Sequence, residues 1–262
     1  IYVDSEPLEG NTEYFKYTYA ETYKIVAPLW QNFEFELTNY DGIDDVVDYD
    51  LEVVEKEKED RICYNTVSSN TIDVLSTAGV SEGNVSKHKV RFITKDNFII
   101  AQRYSILVQQ QVQSADANSF YKILQSFSQS DNVFSQIQPG AIYANVHRKD
   151  GAFENVYGQV EAVGVANQRI FLNYEDFFPE EIPPFAFNCG FETAKLFNFP
   201  TDRCPQGLLE RIDKATVSYY SDYNEGLVPD ASCPGPYIFV PRICGDCTLL
   251  GSNIVPDFWM EE

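Results

Sequence analysis

The stretch Tyr104-Ser105-Ile106-Leu107-Val108-Gln109-Gln110-Gln111-Val112 decides the fold. It sets Tyr104, Ile106, Val108 and Val112 on one side of an extended chain, the two-residue alternation of a half-buried strand. Immediately afterwards the period changes. Within 114–127, Phe120, Ile123, Leu124 and Phe127 fall at i, i+3, i+4 and i+7, with Ser114 as N-cap and Asp116 in the first turn, so an amphipathic helix is predicted. Further out the alternation returns in Val90-Arg91-Phe92-Ile93, in 141–146, in 156–163, in Arg169-Ile170-Phe171-Leu172 and in Thr216-Val217-Ser218-Tyr219-Tyr220. Turn-forming tracts such as Ser81-Glu82-Gly83-Asn84 and Lys149-Asp150-Gly151 separate these segments. Residues 21–27 read as a strand stopped by Pro28, and 206–212 as a short helix. The pattern predicts a mainly β chain: an antiparallel β-sandwich or barrel-like domain with one amphipathic helix near 114–128. With no clear linker and no internal repeat, residues 1–262 are expected to form a single β-rich domain.

Composition narrows the function classes. The 262 residues are 44% hydrophobic and include 19 Phe, 17 Tyr and 2 Trp, which excludes intrinsic disorder. No run approaches the roughly 18 apolar residues of a membrane-spanning helix. Forty acidic residues against 19 basic ones give a formal charge of −21, a field that repels polyphosphate and argues against nucleic-acid binding. The start Ile1-Tyr2-Val3-Asp4-Ser5-Glu6 carries neither an initiator Met nor a signal peptide, so a processed chain, or part of a longer one, is expected.

Six cysteines, Cys63, Cys189, Cys204, Cys233, Cys244 and Cys247, are an even set with five crowded toward the C-terminus. That arrangement favours disulfides formed in an oxidising compartment, and spacing does not choose among the pairings. The alternatives are reduced structural thiols or a metal. Cys244-Gly-Asp-Cys247 is one Cys-x-x-Cys knuckle, where a structural zinc site usually has two. Redox chemistry would need this motif to follow a strand and open a helix, whereas Pro241 before it and Gly251 after it read as a loop.

Motifs for other chemistry are sparse. The acidic tract 41–60 sets Asp48, Asp50, Glu52 and Glu59 at calcium-loop spacings, but Val53 stands where such a loop needs Gly. A solvated, charged strand pair that buries only Leu51, Val53 and Val54 is the stronger reading. The two histidines, His88 in Ser86-Lys87-His88-Lys89 and His147 before Arg148, read as exposed loop residues outside any nucleophile elbow or metal-binding helix. No Gly-rich phosphate loop occurs. Tyr174-Glu175-Asp176-Phe177-Phe178-Pro179-Glu180-Glu181 mixes acids with aromatics. It could line a sugar site or be a loop with a few buried rings, and a glycosidase would need only two such carboxylates.

The C-terminal run Cys244-Gly245-Asp246-Cys247-Thr248-Leu249-Leu250-Gly251-Ser252-Asn253-Ile254-Val255-Pro256-Asp257-Phe258-Trp259 resembles the tail of a domain-of-unknown-function family of Bacteroidetes outer-membrane lipoproteins. Its characteristic positions here are Asp246, Gly251, Asn253, Pro256, Asp257, Phe258 and Trp259. Glu21-Thr22-Tyr23, Ile62-Cys63-Tyr64, Arg103-Tyr104-Ser105 and Glu154-Asn155-Val156-Tyr157-Gly158 are similar to further segments of that family, with Tyr23 and Tyr64 where Trp is common. Family members carry a lipobox Cys and an Ig-like region, so the resemblance implies that this chain is the C-terminal part of a longer lipoprotein, held to the membrane only through a lipid anchor outside it. It also implies an outer-membrane, cell-surface location beside a TonB-dependent, SusC-like transporter, with a periplasm-facing placement as the alternative.

The function expected from these observations is a non-enzymatic surface lipoprotein that binds a glycan or peptide ligand or docks on an outer-membrane β-barrel transporter or complex. It would use no cofactor and no metal. The alternative is an extracellular, carboxylate-dependent glycan hydrolase. Phe258 and Trp259 are expected to be buried, with Cys244 and Cys247 in disulfides that hold their segment.

Overall fold

The computed structural model describes residues 1–6, 13–38, 50–79, 84–128, 145–146, 149, 158–197, 204, 206–229 and 231–261. Its strands are β1 (Tyr2–Ser5), β2 (Tyr14–Val26), β3 (Phe33–Thr38), β4 (Asp50–Glu55), β5 (Ile62–Ser68), β6 (Asp73–Ser76), β7 (Val85–Lys89), β8 (Arg103–Val112), β9 (Val165–Asn173), β10 (Glu192–Thr193), β11 (Val217–Asp222) and β12 (Tyr237–Pro241). The helices are α1 (Ala115–Ser128), α2 (Leu208–Asp213) and α3 (Arg242–Gly245), with 3₁₀ turns at Phe98–Ile100, Tyr174–Asp176 and Cys247–Leu249. The chain is mainly β, in antiparallel sheets, and the described residues form no closed barrel. No helix among them is long and apolar enough to cross a membrane. One sheet runs in the order β5-β2-β8-β9 with β6 also on β2; β10-β12-β11 form a second, and β1-β7 and β3-β4 are two-stranded.

The chain divides into two compact units. The first comprises Ile1–Thr22, Val67–Thr94 and Ser105–Leu172. Here the alternation of β8 buries Ile106 and Val108, beside Phe15 and Tyr17 of β2. Residues Tyr14–Tyr17 pair with β6, Phe15 opposite Leu75. Helix α1 starts where its cap predicts: the Ser114 Oγ accepts from the Ala117 N–H at 3.1 Å. Its buried side is Ala117, Asn118 and Phe120. The Asn118 and Gln125 amides donate to the Leu75 and Ile72 carbonyls, which fixes the helix over β6. Phe127, expected on the same side, stands 39% exposed in the last turn.

Two predicted strands of this unit are corrected. Residues 90–93 form none: the strand is β7, one segment earlier, with Val3 opposite His88. The Val90 and Arg91 N–H groups both turn to the single Ile1 carbonyl, and the Arg91 guanidinium clasps the Glu21 carboxylate at 3.0 and 3.1 Å, so no ladder continues. Residues 158–163 are also non-strand. The Asn145 side chain caps both the N–H and the C=O of Val160, whose own side chain is 70% exposed, so the alternation there has no face to bury. The stretches 141–144, 147–148 and 150–157, including His147, lie outside the described residues. So do 41–49 of the acidic tract and most of the turn at 81–84.

His88 is a further correction. It lies on β7, half-buried, with its ring stacked on Tyr17 at 4.5 Å and Nε2 3.0 Å from both Asp73 carboxylate oxygens. Burial pushes the Tyr17 hydroxyl up to about 12 against the opposing effect of the Gln110 hydrogen bond.

The second unit comprises Tyr23–Thr66, Lys95–Tyr104 and Asn173–Glu262. Strands β3 and β4 pair from Phe33 opposite Glu55 to Thr38 opposite Asp50. As expected of a solvated strand pair, Leu51, Val53 and Val54 are half-buried while Asp50, Glu52 and Glu55 are exposed. Phe35 meets Tyr219 and Tyr237 edge-on at 5.3 and 5.6 Å. With Leu51, Ile212 and Val217 it closes over the buried set Ala194, Leu208 and Phe239. The predicted strand near 216–220 is β11, and the short helix near 206–212 is α2.

Candidate functional site

The most heavily tied part of the second unit is its C-terminal segment. β12 ends at Pro241, α3 makes one turn, and a 3₁₀ turn follows. Thus Cys244 and Cys247 stand on a strand–helix junction and not in the loop the flanking Pro and Gly suggested. They do not bond to each other. Cys63 pairs with Cys247, Cys189 with Cys244 and Cys204 with Cys233, at Cα separations of 5.7, 5.7 and 6.0 Å. Cys63, Cys244 and Cys247 are fully buried.

Asp246, between the two bridges, caps the 3₁₀ turn. Oδ1 accepts from the Thr248 N–H and hydroxyl, and Oδ2 from Arg242 Nε at 2.9 Å. Burial alone would raise its carboxyl, but these hydrogen bonds outweigh it and hold the group below the ordinary carboxylate range. Behind the turn, Lys56 Nζ reaches both Asp60 oxygens and the Gly245 carbonyl, and Trp30 Nε1 donates to the same carboxylate.

The rest of the tail lies against β5. Tyr64 and Ser252 exchange both backbone hydrogen bonds, at 2.8 and 2.9 Å. Gly251 sits so close that a Cβ would fall 2.5 Å from the Tyr64 carbonyl oxygen, so a side chain there would force the backbone to shift. Asn253 Nδ2 donates to the Glu59 carbonyl, and the Trp259 N–H closes a turn onto Pro256 O. Trp259 is buried, edge-on to Tyr64 at 5.0 Å. Phe258, expected to be buried with it, is 37% exposed, and Asp257 is exposed, because Trp259 alone turns inward at this end of the chain.

Glu261 gathers the tail. Its carboxylate accepts from Lys24 Nζ at 3.1 Å, the Tyr64 hydroxyl at 3.0 Å and Trp259 Nε1 at 3.2 Å. Desolvation pushes its carboxyl upward; the donors, Lys24 foremost, prevail and hold it low. Burial and the hydrogen bond to that carboxylate raise the Tyr64 hydroxyl to about 12. Beside this hub, Arg103 Nε donates to the Met260 carbonyl at 2.6 Å and Nη1 to Asn173 Oδ1 at 2.7 Å.

Lys24, Arg103 and Glu261 form one wall of a cleft of about 420 Å³, and Tyr174, Phe178 and Glu181 form the other. A 3₁₀ turn shapes the opposite wall: the Asp176 carboxylate accepts from the Asn173 N–H and side chain, and the Tyr174 and Phe178 rings pack at 5.0 Å. Tyr174 is buried, while Phe177 is 60% exposed. Glu181 is held by Lys95 at 3.0 Å. The cleft therefore offers charges of both signs, with Lys24 paired to Glu261 and Glu181 to Lys95, along with one aromatic edge. Among the described residues, no group of three or more His, Cys, Asp or Glu side chains is arranged to hold a metal ion.

The sequence singled out the aromatic wall and, as part of a strand, Arg103. Lys24 was legible only as part of the predicted strand 21–27, and nothing in the sequence joined it to Glu261, 237 positions away.

The profile of a family described as Domain of unknown function (DUF4249) matches residues 1–169. The chain belongs to the DUF4249 family. No curated protein matches the chain, and no solved structure does. The DUF4249 match ends within β9, so five of the six cysteines, the tail from Asp246 to Trp259 and the aromatic wall of the cleft all lie beyond the matched residues.

Proposed function

We propose that this chain is the ligand-binding or docking part of an exported lipoprotein of the Bacteroidetes outer membrane, acting without catalysis beside a TonB-dependent, SusC-like transporter. The observation that carries the export half is the set of three disulfides, with no free cysteine among the described residues. Such bridges persist in oxidising compartments and are rare in the cytosol. The docking half rests on the resemblance of the tail and on a surface that leaves large apolar side chains such as Ile182, Ile254 and Phe177 exposed.

The hydrolase reading has less behind it. An acid catalyst needs a carboxyl held upward, whereas Glu261 in the cleft is held low and Glu181 is bound to a lysine. Purification of the tagged, full-length native protein in mild detergent, with mass spectrometry of what co-elutes, tests the proposal. A stoichiometric outer-membrane β-barrel supports docking. A solitary protein overturns it.

A further inference from the structure

We infer that the Cys189–Cys244 bridge is a reducible strap: a small dithiol opens it in the folded protein and so releases the segment 182–190, which begins in the wall of the cleft, while the Cys63–Cys247 bridge stays closed.

The bridges differ in what a reductant can reach. Cys63, Cys247 and Cys244 are fully enclosed, but Cys189 is half-buried between Asn188 and Gly190, both exposed. Nothing lies within 4 Å of where a Cβ on Gly190 would stand, so the approach beside Cys189 is open. Exchange needs a sulfur that the attacking thiolate can touch, and accessible bridges are the labile ones. Cys204–Cys233 also presents a half-buried sulfur, that of Cys233. The chain beside it has other holds, however: the Gly235 N–H donates to Thr193 Oγ1 at 3.0 Å, and the Pro236 carbonyl accepts from the Tyr223 N–H at 2.9 Å.

Segment 182–190 lacks such holds. Ile182-Pro183-Pro184-Phe185-Ala186-Phe187-Asn188-Cys189-Gly190 carries no charged side chain, and its two prolines have no N–H to donate. Among the described residues, no backbone hydrogen bond joins it to the rest of its unit. Its flanks are fixed. The Glu181 N–H donates to the Phe178 carbonyl at 3.2 Å and the Glu181 carboxylate pairs with Lys95, while the Phe191 ring packs on Tyr220 at 4.6 Å ahead of β10. Between those flanks stand the Cys189–Cys244 bond and the half-burial of Pro184, Phe185 and Ala186. Pro183 lines the cleft, so release of the segment loosens that wall.

The exchange balances with a dithiol as the reductant. One of its thiolates attacks Cys189 Sγ, and the bond to Cys244 breaks with its electron pair leaving on Cys244, which takes up a proton. The second thiolate then displaces Cys189, which is protonated in turn, and the reductant departs as a cyclic disulfide. The enclosed Cys244 thiol that remains packs as a small apolar group.

The native full chain would be incubated with dithiothreitol, quenched with iodoacetamide over time and mapped by peptide mass. Cys189 and Cys244 are expected to take label at least tenfold faster than Cys63 and Cys247. Chymotrypsin is expected to cut after Phe185 or Phe187 at least tenfold faster in the reduced protein, with an unchanged circular dichroism spectrum. The Cys189→Ser, Cys244→Ser variant should be cut at that faster rate with or without dithiothreitol. Labelling of Cys63 or Cys247 as fast as Cys189 overturns the inference. So does rapid labelling of Cys189 and Cys244 with unchanged cutting, because the bridge would then not be what holds the segment. The reductant arm needs no substitution and stays decisive if the serine variant does not fold.

Discussion

Removing the Cys63–Cys247 bridge should destabilise the protein more than removing either of the others, and by a calculable margin. The three bridges join residues separated by 184, 55 and 29 positions. In the chain-entropy account a cross-link stabilises by restricting the unfolded chain, which gives about 5, about 4 and about 3.5 kcal/mol respectively at 25 °C. Because the cost grows only with the logarithm of loop length, the short cut that Cys189–Cys244 makes within the longest loop changes the first figure little. Burial acts in the same direction, since both Cys63 and Cys247 are fully enclosed, whereas Cys204 retains some exposure. The paired variants Cys63→Ala/Cys247→Ala and Cys204→Ala/Cys233→Ala would be compared by urea unfolding followed by tryptophan fluorescence and by calorimetry. A difference of about 1.5 kcal/mol corresponds to a Tm gap of about 3–6 °C for a chain of this size. If the Cys204/Cys233 variant melts at or below the Cys63/Cys247 variant, the loop-length reasoning fails.

Other perturbations read the tail more locally. Trp259→Ala should cost about 3–5 kcal/mol because it empties a buried site against Tyr64, while Phe258→Ala should cost less than about 1 kcal/mol; the two melts check this. Gly251→Ala should cost about 1–3 kcal/mol through the clash with the Tyr64 carbonyl, whereas Gly190→Ala, with open space around it, should be nearly neutral by the same assay. Asp246 and Glu261 have folded pKa values below their ordinary ones, so each contributes stability above the ordinary carboxylate range that is lost as pH falls through the folded value. Asp246→Asn should therefore flatten the acid limb of the Tm–pH curve, and an unchanged limb would show that this carboxylate is not coupled to folding. Glu261→Gln should let Tyr64 ionise below about 12, seen as tyrosinate absorbance appearing at lower pH.

What the sequence revealed of the fold was whatever a short window decides. The alternation of β8 and the helical spacing of α1 each involve residues a few positions apart, and both elements form where those patterns lie. Val90 to Ile93 carry an equally good alternation, but their backbone partners are set by Ile1, some ninety positions away, and the strand ends before them. Val160 and Val163 are 70 and 37% exposed, and the described residues around them, 158–163, form no strand. The same limit governs the site. Asp246, Gly251 and Trp259 stood out as a motif, and the structure gives each a local reason: a turn cap, a close backbone approach, a buried ring. Their counterparts Tyr64, Lys24 and Arg103 come from strands far earlier in the chain, and no window joins them to Glu261.

The crossed use of Cys244 and Cys247 has a consequence for how the protein is made. In a chain exported N-terminus first, as proposed above, Cys189 follows Cys63 into the oxidising compartment before Cys247 does. Oxidation in order of arrival would thus join Cys63 to Cys189, a bridge absent from the folded protein. Reaching the final pairing requires either that Cys63 stay reduced until Cys247 emerges or that an early wrong bridge be opened by thiolate attack and rebuilt. Uncatalysed, such exchange takes minutes to hours, so yield in a heterologous host should depend on disulfide isomerase activity more than on oxidant supply.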